Sequence, residues 1–148
     1  MSYTGRYDIK NPKKYMGVGT CPIYKSRNEL VVFSRLDNDP KVIRWGYEIL
    51  EIPYMNPIDR KVHKYKMDIY CEIKNGDGIL RCLIEIKQST DMVVPKAPTL
   101  ANQKSRSRYN YATRTYIVNQ AKWNAAIALA KQAGFKMMFI TEKDISKL

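Results

Sequence analysis

The chain has 148 residues, 45% of them apolar, and 26 Lys plus Arg against 14 Asp plus Glu give it a net charge of +12. One domain's worth of core fits that length, and with no apolar run long enough to cross a bilayer and no secretory leader, membrane and export functions drop out. The basic excess points to a polyanion, nucleic acid first, while a single histidine excludes multi-histidine zinc sites and three cysteines without ligand spacing fit a reducing compartment.

Residues 1–25 are rich in Gly, Pro, Tyr and Lys and show no period. They read as an irregular basic arm that packs through its tyrosines, with Lys13 and Lys14 placed to reach phosphates. A helix follows. Ser26 is an N-cap residue, and Glu29 three residues on completes the spacing of a capping box. Leu30, Val31, Phe33 and Leu36 supply an apolar stripe before Asp37-Asn38-Asp39-Pro40 ends it. Glu29 has this structural job and, from the same first turn, a second one open to it toward the acidic strands that follow.

Residues 41–54 read as two short strands broken near Gly46, and Asn56-Pro57-Ile58-Asp59 reads as a turn. His63, on the approach to the next strand, has two readings, a phosphate contact and a hydrogen-bonded structural histidine. From Tyr65 to Gln88 two alternating runs flank Asn75-Gly76-Asp77-Gly78, the dipeptide chemistry of a tight hairpin. A loop of two or four residues gives one register, with Cys71 opposite Cys82 and Asp68 opposite Glu85. Alternation puts Met67, Ile69, Cys71, Ile84 and Ile86 on a core face and Asp68, Glu85 and Lys87 on the other. Carboxylates directly across a strand pair repel. A hard divalent cation between them removes that penalty, and a lysine beside the pair completes a set suited to metal-assisted phosphodiester hydrolysis.

Residues 88–116 hold two prolines, many Ser, Thr and Asn, and a basic run of Lys104, Arg106, Arg108 and Arg114 interleaved with Tyr109 and Tyr111. They read as a long basic loop suited to a nucleic-acid backbone. A helix then runs from a cap at Asn119 through Lys122, Trp123, Ala126 and Ile127 to about Ala133, with Gly134 as its stop. Phe135–Ile140 reads as a buried strand, and a short turn closes the chain.

An acidic helix residue, a hairpin carrying Asp68 and then Glu85-Ile86-Lys87, and a following helix–strand unit resemble the PD-(D/E)xK nuclease superfamily, TnsA-like endonucleases included. The likeness extends along the chain. Tyr3-Thr4-Gly5-Arg6-Tyr7, Asn11-Pro12, Trp45-Gly46, Met67-Asp68-Ile69, Asn119 with Lys122-Trp123, and Ile140-Thr141-Glu142 are similar to the head completion nucleases of T-even-type tailed phages. The superfamily's proline before the aspartate is Met67 here.

The resemblance implies an α/β, restriction-endonuclease-like fold, a mixed central sheet flanked by helices, in a single domain over 1–148. It implies catalytic Glu29, Asp68, Glu85 and Lys87, with Asp68 and Glu85 holding Mg²⁺, for which Mn²⁺ substitutes. His63 and Lys122 are accessory candidates. Lys13, Lys14, Lys104, Arg106, Arg108 and Arg114 would bind double-stranded DNA. The implied activity is a DNA endonuclease that processes packaged ends before tail joining, in the host cytoplasm or the virion head, beside portal or neck proteins. The competing reading keeps the fold as a non-catalytic DNA-binding plug of the filled head.

Overall fold

The computed structural model describes residues 3–17, 21–99 and 102–145. Positions 1–2 and 18–20 of the basic arm, and 100–101 of the expected basic loop, lie outside the described residues. The arm is less irregular than its composition suggests. Strands β1 (Gly5–Arg6) and β2 (Ile23–Tyr24) pair antiparallel, with a 3-10 turn at Pro12–Lys14 between them.

Helix α1 (Arg27–Asn38) begins at the expected cap, where Ser26 Oγ accepts the Glu29 N–H at 3.2 Å. The return bond is shifted by one residue, since Glu29 Oε1 accepts from the N–H of Lys25 at 2.5 Å. At its other end Asp37 is fully buried and holds the arm. Its Oδ2 accepts from the Tyr7 hydroxyl at 2.7 Å and the Lys10 N–H at 2.8 Å, and its Oδ1 from the Asn11 N–H at 3.0 Å. These donors keep the Asp37 carboxyl below its ordinary value even though burial opposes them.

Strands β3 (Val42–Asn56) and β4 (Lys61–Asn75), 15 residues each, form one long hairpin over the expected turn. The break expected near Gly46 is instead a β-bulge in a continuous strand. Tyr47 pairs with Ile69 and Leu50 with Met67, so Glu48 and Ile49 together oppose Asp68 alone. Glu48 takes a positive φ of 54° there, and a Cβ on Gly46 would lie 2.5 Å from the Ile49 side chain. Glycine permits the chain to fold over itself at that point.

Strand β5 (Gly78–Ile86) returns from a two-residue loop, Gly76-Asp77, with Gly76 at φ 61°. Cys71 faces Cys82 as expected, both as buried free thiols. Helix α2 (Gln103–Ala133) then runs for 31 residues, strand β6 (Lys136–Ile140) lies parallel to β5, and α3 (Glu142–Ile145) follows. The sheet order is β3-β4-β5-β6, a mixed sheet as expected of this α/β chain. As an outer strand β6 is half-buried rather than buried.

The reading of 88–116 as a loop is corrected by α2, which begins at Gln103. No Gly or Pro interrupts residues 103–133, Asn102 caps the start by accepting the Ser105 N–H at 2.8 Å, and Gly134 closes the end at φ 78°. Lys104, Arg106, Arg108 and Arg114 are therefore helical. Asn119, expected as a cap, lies buried in the middle of the helix.

Both faces of the sheet are covered. One packs Trp45, Ile69, Cys71, Cys82 and Ile84 against α1 and the arm; the other packs Ile52, Tyr65, Met67 and Leu83 against Trp123 and Ala126 of α2. Met67 was expected beside Ile69 and lies instead in the α2-side cluster. The change falls where the bulge on β3 opposes Asp68, a point at which a bulged strand pair bends and twists more strongly, so the hairpin beyond it packs in the α2-side cluster.

Candidate active site

At the position of that bulge, the α2 side of the sheet carries a pair of carboxylates. Asp68 stands on β4 one residue before Ile69, whose partner on β5 is Ile84, so the next position along β5 is Glu85. Asp68 Oδ2 accepts the Ile86 N–H at 2.8 Å, which ties the end of β5 to the carboxylate. Glu85 is 3% exposed, accepts a hydrogen bond on Oε2 from the Tyr65 hydroxyl, and has Lys87 Nζ 3.6 Å from Oε1. Burial first, and the neighbouring Glu85 charge second, push the Asp68 carboxyl up to about 8. The Ile86 N–H and Lys87 oppose that rise, while Glu29 adds to it.

These residues form the floor of a cleft of about 290 Å³. Tyr54, His63, Lys64, Tyr65 and Lys66 of the β3–β4 hairpin line one side, and Asn119 and Lys122 of α2 line the other. Lys122 Nζ stands 5.9 Å from the ring centroid of Tyr54 and 5.7 Å from that of Tyr65, within cation–π range of both. His63 Nε2 lies 2.6 Å from Asp59 Oδ2 at the rim. A second cleft, lined by Ser26, Asn28, Gln88 and Asp91, opens on the far side of Lys87.

Of the residues expected in the site, Asp68, Glu85, Lys87, His63 and Lys122 share this cleft. Glu29 stands behind it. Its carboxylate accepts from the Lys25 N–H on Oε1 and from the Tyr47 hydroxyl on Oε2 at 3.0 Å, so both oxygens are held by protein donors. It acts on the site through its charge on Asp68.

The remaining basic candidates do not line the cleft. Lys14 Nζ donates to the carbonyls of Asp37 and Asp39, both at 2.8 Å, and so caps the end of α1. Lys13 is exposed on its 3-10 turn. Arg108 borders a groove between α2 and Pro95 and Pro98, and Lys104, Arg106 and Arg114 are exposed on α2.

Tyr54, Lys64, Tyr65, Lys66 and Asn119 are cleft residues that the sequence reading missed. Tyr65 has the parity of Ile69, yet it packs in the α2-side cluster beyond the bulge. Asn119 carried a signal, but for a helix cap. Lys64 and Lys66 were visible as basic residues leading into the hairpin.

Among the described residues no three His, Cys, Asp or Glu side chains are grouped to hold a metal. The donor set is the two carboxylates Asp68 and Glu85. That set suits Mg²⁺, which binds through one or two carboxylates and keeps water or substrate phosphate as its other ligands. The electrostatics agree, since two adjacent carboxylates, Glu85 buried and Asp68 half-buried, without enough donors are stabilised by a cation.

Comparison with known proteins bears on the same residues. Residues 39–142 match the family described as TnsA-like endonuclease N terminal. Over 148 residues, 100% of this chain and 97% of the relative, the sequence is 33% identical to the head completion nuclease of Enterobacteria phage T4. The family match spans Asp68, Glu85, Lys87, His63 and the whole of α2, and begins after Glu29.

Proposed function

This chain belongs to the TnsA-like endonuclease family, and on that premise we propose that it is a Mg²⁺-dependent DNA endonuclease of the PD-(D/E)xK type. One observation carries the reading: Asp68, Glu85 and Lys87 meet at the floor of a single cleft, where burial first and the company of Glu85 second drive the Asp68 carboxyl upward. A net charge of +12 supplies the attraction for duplex DNA.

Asp68 and Glu85 would hold the cation, which when bound supplies Lewis acidity toward water and positive charge against the scissile phosphate. The Tyr65 hydroxyl fixes Glu85 Oε2 and leaves Oε1 on the Lys87 side. Lys87, 32% exposed, carries its ammonium at the cleft surface, where it stabilises negative charge growing on the phosphate oxygens and orients the attacking water. Lys122 adds a second cation on the α2 wall, braced over two tyrosine rings. The relative is named for head completion. By that likeness the substrate is packaged phage DNA whose ends are processed before tail joining, in the host cytoplasm or at the filled head, beside portal or neck proteins.

The test is cleavage of plasmid and linear DNA with Mg²⁺, with Mn²⁺ and with a chelator, by wild type and by Lys87→Ala. Cleavage is expected with either metal and none with the chelator. Lys87→Ala is expected to fold, bind DNA and cut on the order of a hundredfold more slowly or worse. A wild-type protein that binds DNA and cuts none of these substrates would leave the non-catalytic reading standing.

A further inference from the structure

The β3–β4 hairpin is longer than the sheet it belongs to. Its pairing continues to Asn56 with Lys61, whereas β5 leaves β4 after Ile69 and Ile84. Beyond Asp68 the hairpin is thus a two-stranded arm, and the stretch from Lys61 to Asp68 spans about 24 Å at the usual rise per residue. One face is anchored, with Ile52, Tyr54 and Tyr65 buried against α2. The rest is open. Glu51, Pro53, Arg60, Lys61, Lys64 and Lys66 are exposed, and so are Met55 at 56%, Ile58 at 46% and Val62 at 65%.

An exposed apolar tip at the end of a basic ribbon calls for an occupant, and two facts say which. Four cations, Arg60, Lys61, Lys64 and Lys66, lie between the tip and the cleft with only Glu51 and Asp59 among them as counter-charges. Glu51 stands 3.7 Å from Lys64, and Asp59 is engaged with His63. Lys64 and Lys66 also line the cleft itself, so the arm's charge is continuous with the carboxylate floor. A polyanion with one phosphate at Asp68 and Glu85 therefore has its neighbouring phosphates beside the arm.

We infer that the β3–β4 arm is a DNA-gripping ribbon, laid along a groove of the duplex with Arg60, Lys61, Lys64 and Lys66 on backbone phosphates and Ile58 against the sugar and base edges at its tip. Phosphate contacts of this kind position the duplex without reading sequence, and an apolar side chain at a ribbon tip can wedge into the minor groove. The arm's length corresponds to about seven base pairs at the 3.4 Å spacing of phosphates along one strand. The inference rests on the reading of the cleft as the cleavage site.

Binding of a 30-base-pair duplex is measured by fluorescence anisotropy across a salt series, in a Lys87→Ala background with Mg²⁺, where cutting is slow on the timescale of the measurement. The arm variant is Arg60→Gln with Lys61→Gln and Lys64→Gln, all at exposed positions. A charge-matched control carries Lys74→Gln, Lys131→Gln and Lys136→Gln, exposed and away from the cleft. The arm variant is expected to flatten the log–log salt slope by about 0.9 per lost contact, about 2.7 in all. The control should stay close to the parent, and Ile58→Ser should weaken binding several-fold with little change in slope. An unchanged slope in the arm variant, or an equal loss in the control, overturns the inference and leaves the arm to a protein partner. Tight, arm-dependent binding by a wild type that cuts nothing would sink the nuclease reading alone and leave the arm's role standing.

Discussion

Two aspartates, Asp37 fully buried and Asp68 half-buried, sit on opposite sides of one sheet and have opposite characters. Asp37, on the α1 side, is fully enclosed and receives three hydrogen bonds from the arm, and its carboxyl is held below the ordinary range. Asp68, on the α2 side, receives the single N–H of Ile86, faces Glu85, and is pushed up to about 8. Burial acts on both; the donors differ. A buried carboxylate with all its donors supplied by the chain is architecture, whereas one left short of donors beside a second carboxylate waits for a ligand.

Removing each aspartate breaks the comparison differently. Asp37→Ala strands the Tyr7 hydroxyl and two main-chain N–H groups, and should cost about 2–4 kcal/mol in chemical denaturation. Arm residues should become protease-sensitive while the response to Mg²⁺ is kept, because no ligand has been touched. If Asp37→Ala loses its Mg²⁺ response and Asp68→Asn keeps it, the assignment of roles is reversed.

The pH dependence sharpens the same contrast, and the two signs are opposite. Asp37 has its folded value below its ordinary 3.8. Its stabilisation is present in full above that range and is lost as the pH falls through the lowered value. For Asp68 the folded value is raised from 3.8 to about 8. Between those limits the folded protein keeps a proton that the unfolded chain has released, so stability declines as the pH rises across the window. Melting in a chelator should show the decline from about pH 4 to pH 8. Added Mg²⁺ should offset it at the alkaline end, and Asp68→Asn should abolish it. Near pH 8 the metal-free Asp68→Asn protein should therefore be more stable than wild type by the full depth of that decline. A metal-free profile that rises from pH 4 to pH 8 would contradict the strained pair.

The features legible in the sequence were those with local chemistry. Asn75-Gly76-Asp77-Gly78 determines the hairpin loop, and the loop sets the register that brings Asp68 to Glu85. Ser26 and Glu29 mark the start of α1 in the same way. The features that stayed hidden depend on distant partners. Asp37 reads as part of a helix stop, because its donors lie 26 to 30 residues away in the chain. No residue in the first half of α2 is fully buried, so it has little apolar stripe to reveal a helix, and Asn102 is a better cap than its surroundings suggest. The bulge at Glu48 and Ile49 leaves only Gly46 as a trace, yet it marks the point beyond which Met67 and Tyr65 pack in the α2-side cluster. The hairpin side of the cleft therefore lies beyond an irregularity that alternation alone does not predict.

The most direct test of the central claim, that Asp68 and Glu85 are a cation site kept short of donors, is calorimetric titration of the whole protein with Mn²⁺ at pH 7 in two buffers of different ionisation enthalpy. The account predicts saturable binding that releases close to one proton per ion, because Asp68 must ionise to accept the metal, and no such binding by Asp68→Asn. Binding without proton release, or binding retained by Asp68→Asn, would contradict it.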